Sequence, residues 1–462
     1  MPGADSTETG GDGEAARLGL REKIGYGVGD YGVNFHFSMT TNFLLFFYTD
    51  VFGLLPAVAG SVLLVARLSD AITDPLMGLL ADRTRTRWGK LRPYLLYGAA
   101  PLGLASVLLF SVPPWSGGAK VAYAYATYIL WGICFTVVTI PYSALTAAIT
   151  SDAQERTQLS TYRIAFATMG GGLVAVVTPG LVGMFESPAV GFRTLMAVYS
   201  VLGTGMLWYC FATVTERVQA SQAVRVGPRD ILRVFRSAGP LWVLMVVFVF
   251  GSVSFTLQTG AKLYYFKYNL GREDLWPVFL LSMAIPSFLG IAAAPAVGAR
   301  LGKAGGMVVC SLLTFVSGLG VYFTPYDQIG MIFFWSIVGA FGGAPIGVLT
   351  WSIIPDTVEY AEWKSGIRAE GIIYSVTGFF QKTSGALGGA LSGMILAATG
   401  YVAGAAQSER ALHGILSTIT IVPMAFGVGA VIALLFYRID AETHARIVAE
   451  LDERRRAGDP RG

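Results

Sequence analysis

Leu68-Ser-Asp-Ala-Ile-Thr-Asp-Pro-Leu-Met77 lies inside residues 56–81, a run otherwise long and apolar enough to cross a bilayer. Asp70 and Asp74 are spaced i, i+4, so a helix projects both carboxylates from one face, with Arg67 one turn before Asp70. An ionisable group at membrane depth costs about 2.5–3.5 kcal/mol on insertion scales. Two on one stripe call for a polar cavity, a bound cation or a partner charge.

The rest of the chain supplies the membrane setting. Hydrophobic residues make up 54% of the 462 and charged residues 13%, and the mean hydropathy is +0.58. A soluble domain carries about twice that charged fraction. The 57 Gly and 28 Phe suit helices that approach closely in lipid and end in aromatic belts. Cys134, Cys210 and Cys310 are scattered through apolar runs, which excludes a disulfide framework or cysteine metal cluster and leaves small buried hydrophobes. A net charge of +4 spread over several loops gives nucleic acid no footprint. The first residues hold no apolar segment, so no cleavable signal peptide is expected.

At about 20 apolar residues per crossing, twelve transmembrane helices are expected. They fall near residues 27–48, 57–80, 93–113, 120–145, 162–185, 193–213, 239–265, 276–299, 305–325, 329–354, 371–398 and 411–437. With both termini cytoplasmic, 24 of the 33 Lys and Arg fall on the inside and 6 outside, the bias of the positive-inside rule. The fold class is thus an all-α membrane protein of two six-helix bundles. Residues 1–24 form a disordered cytoplasmic tail, 25–215 the first bundle, 216–238 a cytoplasmic linker, 239–438 the second bundle and 439–462 a second tail. The halves echo each other: Ile140-Pro-Tyr closes the fourth span and Ile354-Pro-Asp the tenth. Six plus six with a weak repeat is the layout of a transporter whose site lies between bundles near the midplane.

Candidate residues follow from this layout. Asp70 and Asp74 offer a cation site, for Na⁺ or H⁺, and can accept hydrogen bonds from a polar substrate; a hard cation favours such oxygens, and burial beside a like charge favours a held proton. Thr136 and Thr139 on the fourth span are candidates for the oxygen shell, unless they bond back to their own backbone. Lys382 in the eleventh span needs a carboxylate, and Asp70 or Asp74 from the other bundle can supply it, in a pair made or broken as the cavity switches sides. Arg163 at the start of the fifth span either meets the substrate with its planar fork or anchors at the interface. Asn34 and His36 are i, i+2, so one of them lines the cavity; Asn34 is the expected substrate contact, His36 the alternative as a proton carrier. Tyr128, Trp131 and Tyr142 are candidates for stacking on a sugar ring. Asp82, Arg83 and Arg87, in the run from Gly78 to Lys90, are expected to gate by pairing with cytoplasmic helix ends, and Asp356, Glu359 and Arg368 are their counterparts in the second half.

These motifs resemble known ones. The run from Gly78 to Lys90 resembles the loop between the second and third helices of the major facilitator superfamily. Asp70-Ala-Ile-Thr-Asp74-Pro-Leu-Met-Gly78, Thr86-Arg-Trp-Gly-Lys-Leu-Arg-Pro93 and Asp356-Thr-Val-Glu-Tyr-Ala-Glu-Trp-Lys364 are similar to the glycoside–pentoside–hexuronide:cation symporters, which include the melibiose and glucuronide permeases. The resemblance implies cation coupling at Asp70, Asp74 and Thr136, sugar contact at Arg163, and an eleventh-helix lysine at Lys382. Asn34 and Thr139 stand where the melibiose permease has sugar-binding aspartates, Ser143 and Gly347 where it has cavity tryptophans, and Gly378 where it has a threonine of its sodium site. Gly29-Asp-Tyr-Gly-Val-Asn34 looks closer to the glucuronide branch.

The expectation is therefore a monomeric secondary transporter of the plasma (inner) membrane. It takes up a sugar or glycoside of the pentoside or hexuronide class, possible anionic members included, by symport with H⁺ or Na⁺, and has no other cofactor. The alternative keeps the fold and carries a lysophospholipid-like amphiphile or another small organic solute. A non-transporting sensor is a third reading. Three histidines, no clustered nucleophile and no metal-ligand spacing argue against a membrane enzyme.

Overall fold

The computed structural model describes residues 18–150, 153–217, 233–236, 239–367, 370–437 and 439–456. Most of the expected N-terminal tail and linker lies outside them. Among the described residues every regular element is helical, apart from one bridge between Thr86 and Gly89. The first half holds α1 (Leu20–Phe46), α2 (Pro56–Arg83), α3 (Arg92–Leu109), α4 (Gly117–Ile149), α5 (Ala153–Val182) and α6 (Pro188–Thr213). The second holds α7 (Gly239–Tyr264), α8 (Trp276–Leu301), α9 (Lys303–Phe323), α10 (Ile329–Ser365), α11 (Glu370–Ala398), α12 (Glu409–Ile419) and α13 (Ile421–Leu434), followed by α14 (Ala441–Arg456).

Eight of these segments are long and apolar enough to cross a membrane by length and composition, with α12 and α13 counting as one, broken at Thr420. Of the long helices outside that set, α1, α2 and α11 carry Asp30, Asp70, Asp74 and Lys382. Exposed Val278, Leu281, Ile285, Phe288 and Leu289 run along one face of α8 at helical spacing, a stripe suited to lipid rather than water.

Three boundaries differ from expectation. Helix α4 runs through Pro141 to Ile149 and α10 through Pro355 to Ser365, because a helix set among neighbours tolerates the hydrogen bond a proline forfeits. Helix α5 starts at Ala153 rather than near 162, since its polar first turns find partners. Glu155 pairs with Lys23 (2.8 Å), Gln158 accepts from the same ammonium (2.6 Å), and Arg156 Nε donates to the Thr150 carbonyl (2.8 Å). Arg163 is thereby carried about 15 Å along the helix, away from the end where sequence reasoning put it.

Helices α1–α6 pack on one another, α1 against α5 and α6, and α3 against α4 and α6. In the second half α7 packs on α11 and α13, and α10 on α8 and α9. Across the halves, α1 meets α7, α2 meets α11 and α5 meets α8. Exchanging the halves, six helices on for the first and six back for the second, takes α2 to α8 and α11 to α5 and so maps one of the last two pairs onto the other, the pattern of an internal two-fold. Close approach of α2 and α11 depends on glycine: a Cβ on Gly393 would sit 2.4 Å from the Pro56 carbonyl oxygen.

Thr49, just past α1, hydrogen-bonds Tyr264 at the end of α7 (2.8 Å), so the starts of α1 and α7 share the other face, here the terminal face. At the end of the bundle away from it, one apolar core spans both halves, joining Phe43, Phe47 and Phe192 to Tyr264, Phe266 and Trp276. Toward the terminal face the second half has a separate core built on Leu241, Leu349, Ile353 and Leu434. Among the described residues the halves thus share one core at the end away from the terminal face and keep separate cores toward it.

On the terminal face, the Glu216 carboxylate accepts from the backbone N–H groups of Lys90 (2.9 Å), Leu91 (2.8 Å) and Arg92 (2.9 Å), a negative charge at the start of α3. Gly89 makes room for it, with φ +105° and a Cβ position 2.5 Å from Glu216 Oε1.

Candidate substrate and cation site

A cavity of about 340 Å³ lies between the halves, within the roughly 300–1,000 Å³ of small-molecule sites. Its lining comes from α1 (Asp30, Asn34, Phe37), α4 (Phe135, Thr139, Tyr142, Ser143), α5 (Arg163) and α11 (Lys382). The wall is polar on one side and aromatic on another, where Phe37 and Phe135 stack with ring centroids 6.1 Å apart.

The polar side is organised by Arg163. Its Nε donates to Asp30 Oδ2 at 2.9 Å, an Nη lies 3.5 Å from Ser143 Oγ, and the guanidinium sits 5.5 Å from the Tyr142 ring centroid. Asn34 Nδ2 donates to the Asp30 carbonyl (2.9 Å) and lies 3.4 Å from Asp30 Oδ1, leaving the amide oxygen for a ligand. Thr139 lines the cavity but also bonds back to the Phe135 carbonyl (2.8 Å).

The other charged pair joins the halves. Lys382 of α11 donates to Asp74 Oδ2 of α2, and Thr136 of α4 donates to Asp74 Oδ1 at 2.8 Å. One carboxylate thus holds three helices. Asp70, one turn before it, is buried against α4, where a Cβ on Gly132 would lie 3.1 Å from its Oδ1. The side chain of Arg67 lies outside the described set.

Other expectations are placed elsewhere. His36 is fully buried away from the cavity, with Nδ1 2.8 Å from Ser106 Oγ of α3 and its ring against Gly203 of α6; it packs. Tyr128 and Trp131 are buried and stack on each other at 5.6 Å, so the aromatic surface reaching the cavity belongs to Phe37, Phe135 and Tyr142. Asp356 takes Lys303 of α9 (2.7 Å to each oxygen) and lies 3.5 Å from His444, while Glu359 and His444 of α14 are 2.5 Å apart. These acids are thus held within the second half, and the Arg87 guanidinium lies over Trp88 at 4.2 Å. Among the other gating residues, the Asp82 side chain and the whole of Arg368 lie outside the described residues.

Sequence reasoning missed Asp30. The signal was present: Asp30 and Asn34 are i, i+4 in the first apolar span, the spacing that singled out Asp70 and Asp74. Its partner Arg163 was assigned to a helix end, which hid the pair.

The family model described as MFS/sugar transport protein matches residues 25–441. The chain belongs to that family. Its likeness to the glycoside–pentoside–hexuronide:cation symporters stands with it. The chain is similar to the isoprimeverose transporter of Lactiplantibacillus pentosus, 36% identical over 94% of this chain and 91% of that one. It is also similar to the putative glycoside/cation symporter YagG of Escherichia coli (strain K12), 34% identical over 94% of each chain. Among solved structures, the nucleoside transporter NupG superposes with a TM-score of 0.62 at 13% identity, over 91% of this chain and 98% of that one. That last likeness concerns the fold.

Proposed function

We propose that the protein is a secondary transporter of the plasma (inner) membrane that carries a neutral sugar or glycoside with H⁺ or Na⁺ by alternating access, the terminal face being cytoplasmic. The observation that carries this reading is the Asp74 carboxylate, held at once by Thr136 of the first half and Lys382 of the second. A cation on Asp74 competes with Lys382 for the same oxygens. Its arrival loosens a bond between the halves and frees the lysine toward the cavity. Cation and sugar then favour each other's binding, as coupled ligands do, by a typical 1–3 kcal/mol.

A neutral substrate is favoured because both cavity-lining bases already hold a carboxylate, Arg163 that of Asp30 and Lys382 that of Asp74. A uronate would have to displace one of them. The Asp30–Arg163 pair and Asn34 suit sugar hydroxyls, which both donate and accept, and the Phe37–Phe135 surface suits the apolar face of a pyranose ring. So small and charged a cavity offers a lysophospholipid-like tail little support.

The test is flux into proteoliposomes of the purified full chain, with a panel of neutral glycosides, pentosides and hexuronides. Each is measured under an imposed Na⁺ gradient or pH gradient. Accumulation of a neutral glycoside under one gradient is expected. Binding without flux would identify a sensor, and accumulation without either gradient would end the symport reading.

A further inference from the structure

At the sealed end, the two halves close through a repeated turn. Helix α1 runs into a π-helical turn at Phe47–Val51, and α7 into another at Tyr265–Asn269. The turns match bond for bond. Phe52 N donates to the Phe47 carbonyl and Leu54 N to that of Tyr48, while Leu270 N donates to Tyr265 and Arg272 N to Phe266. Each turn ends on a glycine with positive φ, Gly53 at +78° and Gly271 at +63°, where a side chain would be strained. An offset of 218 residues superimposes these features, so Asp50 corresponds to Tyr268 and Thr49 to Lys267. Single π turns inside helices are rare and frequently mark functional positions.

The equivalent positions face each other. The Asp50 side chain is 2% exposed, and its two oxygens collect donors from the second half. Lys267 Nζ is 3.3 Å from Oδ1, Tyr268 also donates to Oδ1, and Tyr401 donates to Oδ2 at 2.6 Å; Thr49 adds 2.7 Å from its own turn. Beside it Thr49 meets Tyr264 at 2.8 Å, and the Lys267 ammonium lies 4.6 Å from the Phe46 ring centroid. No lining residue of the cavity takes part.

We infer that Asp50 is the closure residue of the transport cycle at this face: its carboxylate, gripped by Lys267, Tyr268 and Tyr401, holds the carrier open toward the terminal face and must release them before the opposite face can open. Charge-assisted hydrogen bonds are the strong kind, and a buried carboxylate that loses its donors is costly. The sealed state is thereby favoured until the halves part and water replaces those donors. The equivalence of the two turns explains why one residue suffices: the two-fold brings both to the same axis, where Asp50 meets its counterpart.

The test uses spin labels on the full chain in detergent, in a background with Cys134, Cys210 and Cys310 replaced by Ala. Labels at Ser116→Cys and Ala406→Cys, exposed positions in the α3–α4 and α11–α12 connections, report the separation of the halves at the sealed face by pulsed electron–electron double resonance. Asp50→Asn should raise the ratio of long to short distances by about tenfold, the loss of about 1.4 kcal/mol of closure. Tyr268→Phe with Tyr401→Phe keeps the rings and removes two donors, so it should shift the same ratio in the same direction by a smaller factor. It serves as the readout if Asp50→Asn does not fold. Distance distributions that superimpose on those of the parent, in whichever variants fold, overturn the inference. Neither sugar nor cation is added, so the result is independent of the proposed substrate.

Discussion

Asp74 of α2 and Lys382 of α11 are 308 positions apart in the chain, and their ion pair joins its two halves. Thr136 holds the other oxygen of the same carboxylate. Any change in the charge of Asp74 therefore bears on the contact between halves.

Replacing Asp74 with Asn should abolish uphill accumulation while exchange of internal for external sugar persists. In the proposed mechanism the variant loses the cation's competition with Lys382, and a coupling of 1–3 kcal/mol corresponds to about 5–150-fold in the sugar affinity that the cation confers. Paired gradient-driven and exchange assays in proteoliposomes check this; undiminished accumulation would refute the coupling role.

Asp30→Asn should weaken sugar binding by about tenfold and leave the dependence of transport on cation concentration unchanged. The amide keeps the size of the side chain but weakens its hold on Arg163 Nε, now 2.9 Å away. Sugar titrations at two cation concentrations separate the two effects. A shift in cation affinity alone would move Asp30 into the cation site.

Gly132→Ala places a methyl 3.1 Å from Asp70 Oδ1, tighter than ordinary contact. The Asp70 carboxylate must shift, so cation affinity should fall several-fold while the sugar's affinity at saturating cation is retained. Unchanged cation affinity would show that the position of Asp70 is immaterial to coupling.

On the terminal face, Asp440 caps α14 by accepting from Thr443 N–H (2.8 Å). Hydrogen bonds from Thr443 hold its carboxyl below the usual carboxylate range. A depressed carboxyl stabilises the fold above its unfolded pKa of about 3.9 and loses that contribution as pH falls through the lower folded value. The protection factor of α14 amides, the exchange rate relative to the unstructured chain at the same pH, should accordingly fall below about pH 4, and Asp440→Ala should show the lower protection already at pH 7. A protection factor unchanged by acidification in the parent would contradict the cap.

Much of this was legible in the residues. The i, i+4 carboxylates, the lysine in the eleventh span and the threonine on the fourth were found one by one, because an ionisable group in an apolar run is conspicuous by its cost. Tyr128 and Trp131 were misplaced because aromatic character does not say whether a ring faces a cavity or a neighbouring ring. Arg163 was a candidate and does line the cavity, but its partner Asp30 was missed. The polar start of α5 reads as a loop until Lys23, from another helix, supplies Glu155 and Gln158 with a partner.

Local sequence determined which segments are apolar enough for lipid, where charge interrupts them and which residues share a helical face, since these depend only on hydropathy and the helix period. Which carboxylate holds which base was decided by tertiary structure. Asp74 with Lys382, Asp30 with Arg163 and Asp50 with Lys267 each join elements distant in the chain. Their pairing depends on how two halves dock, a matter of distance in space that no spacing along the chain encodes.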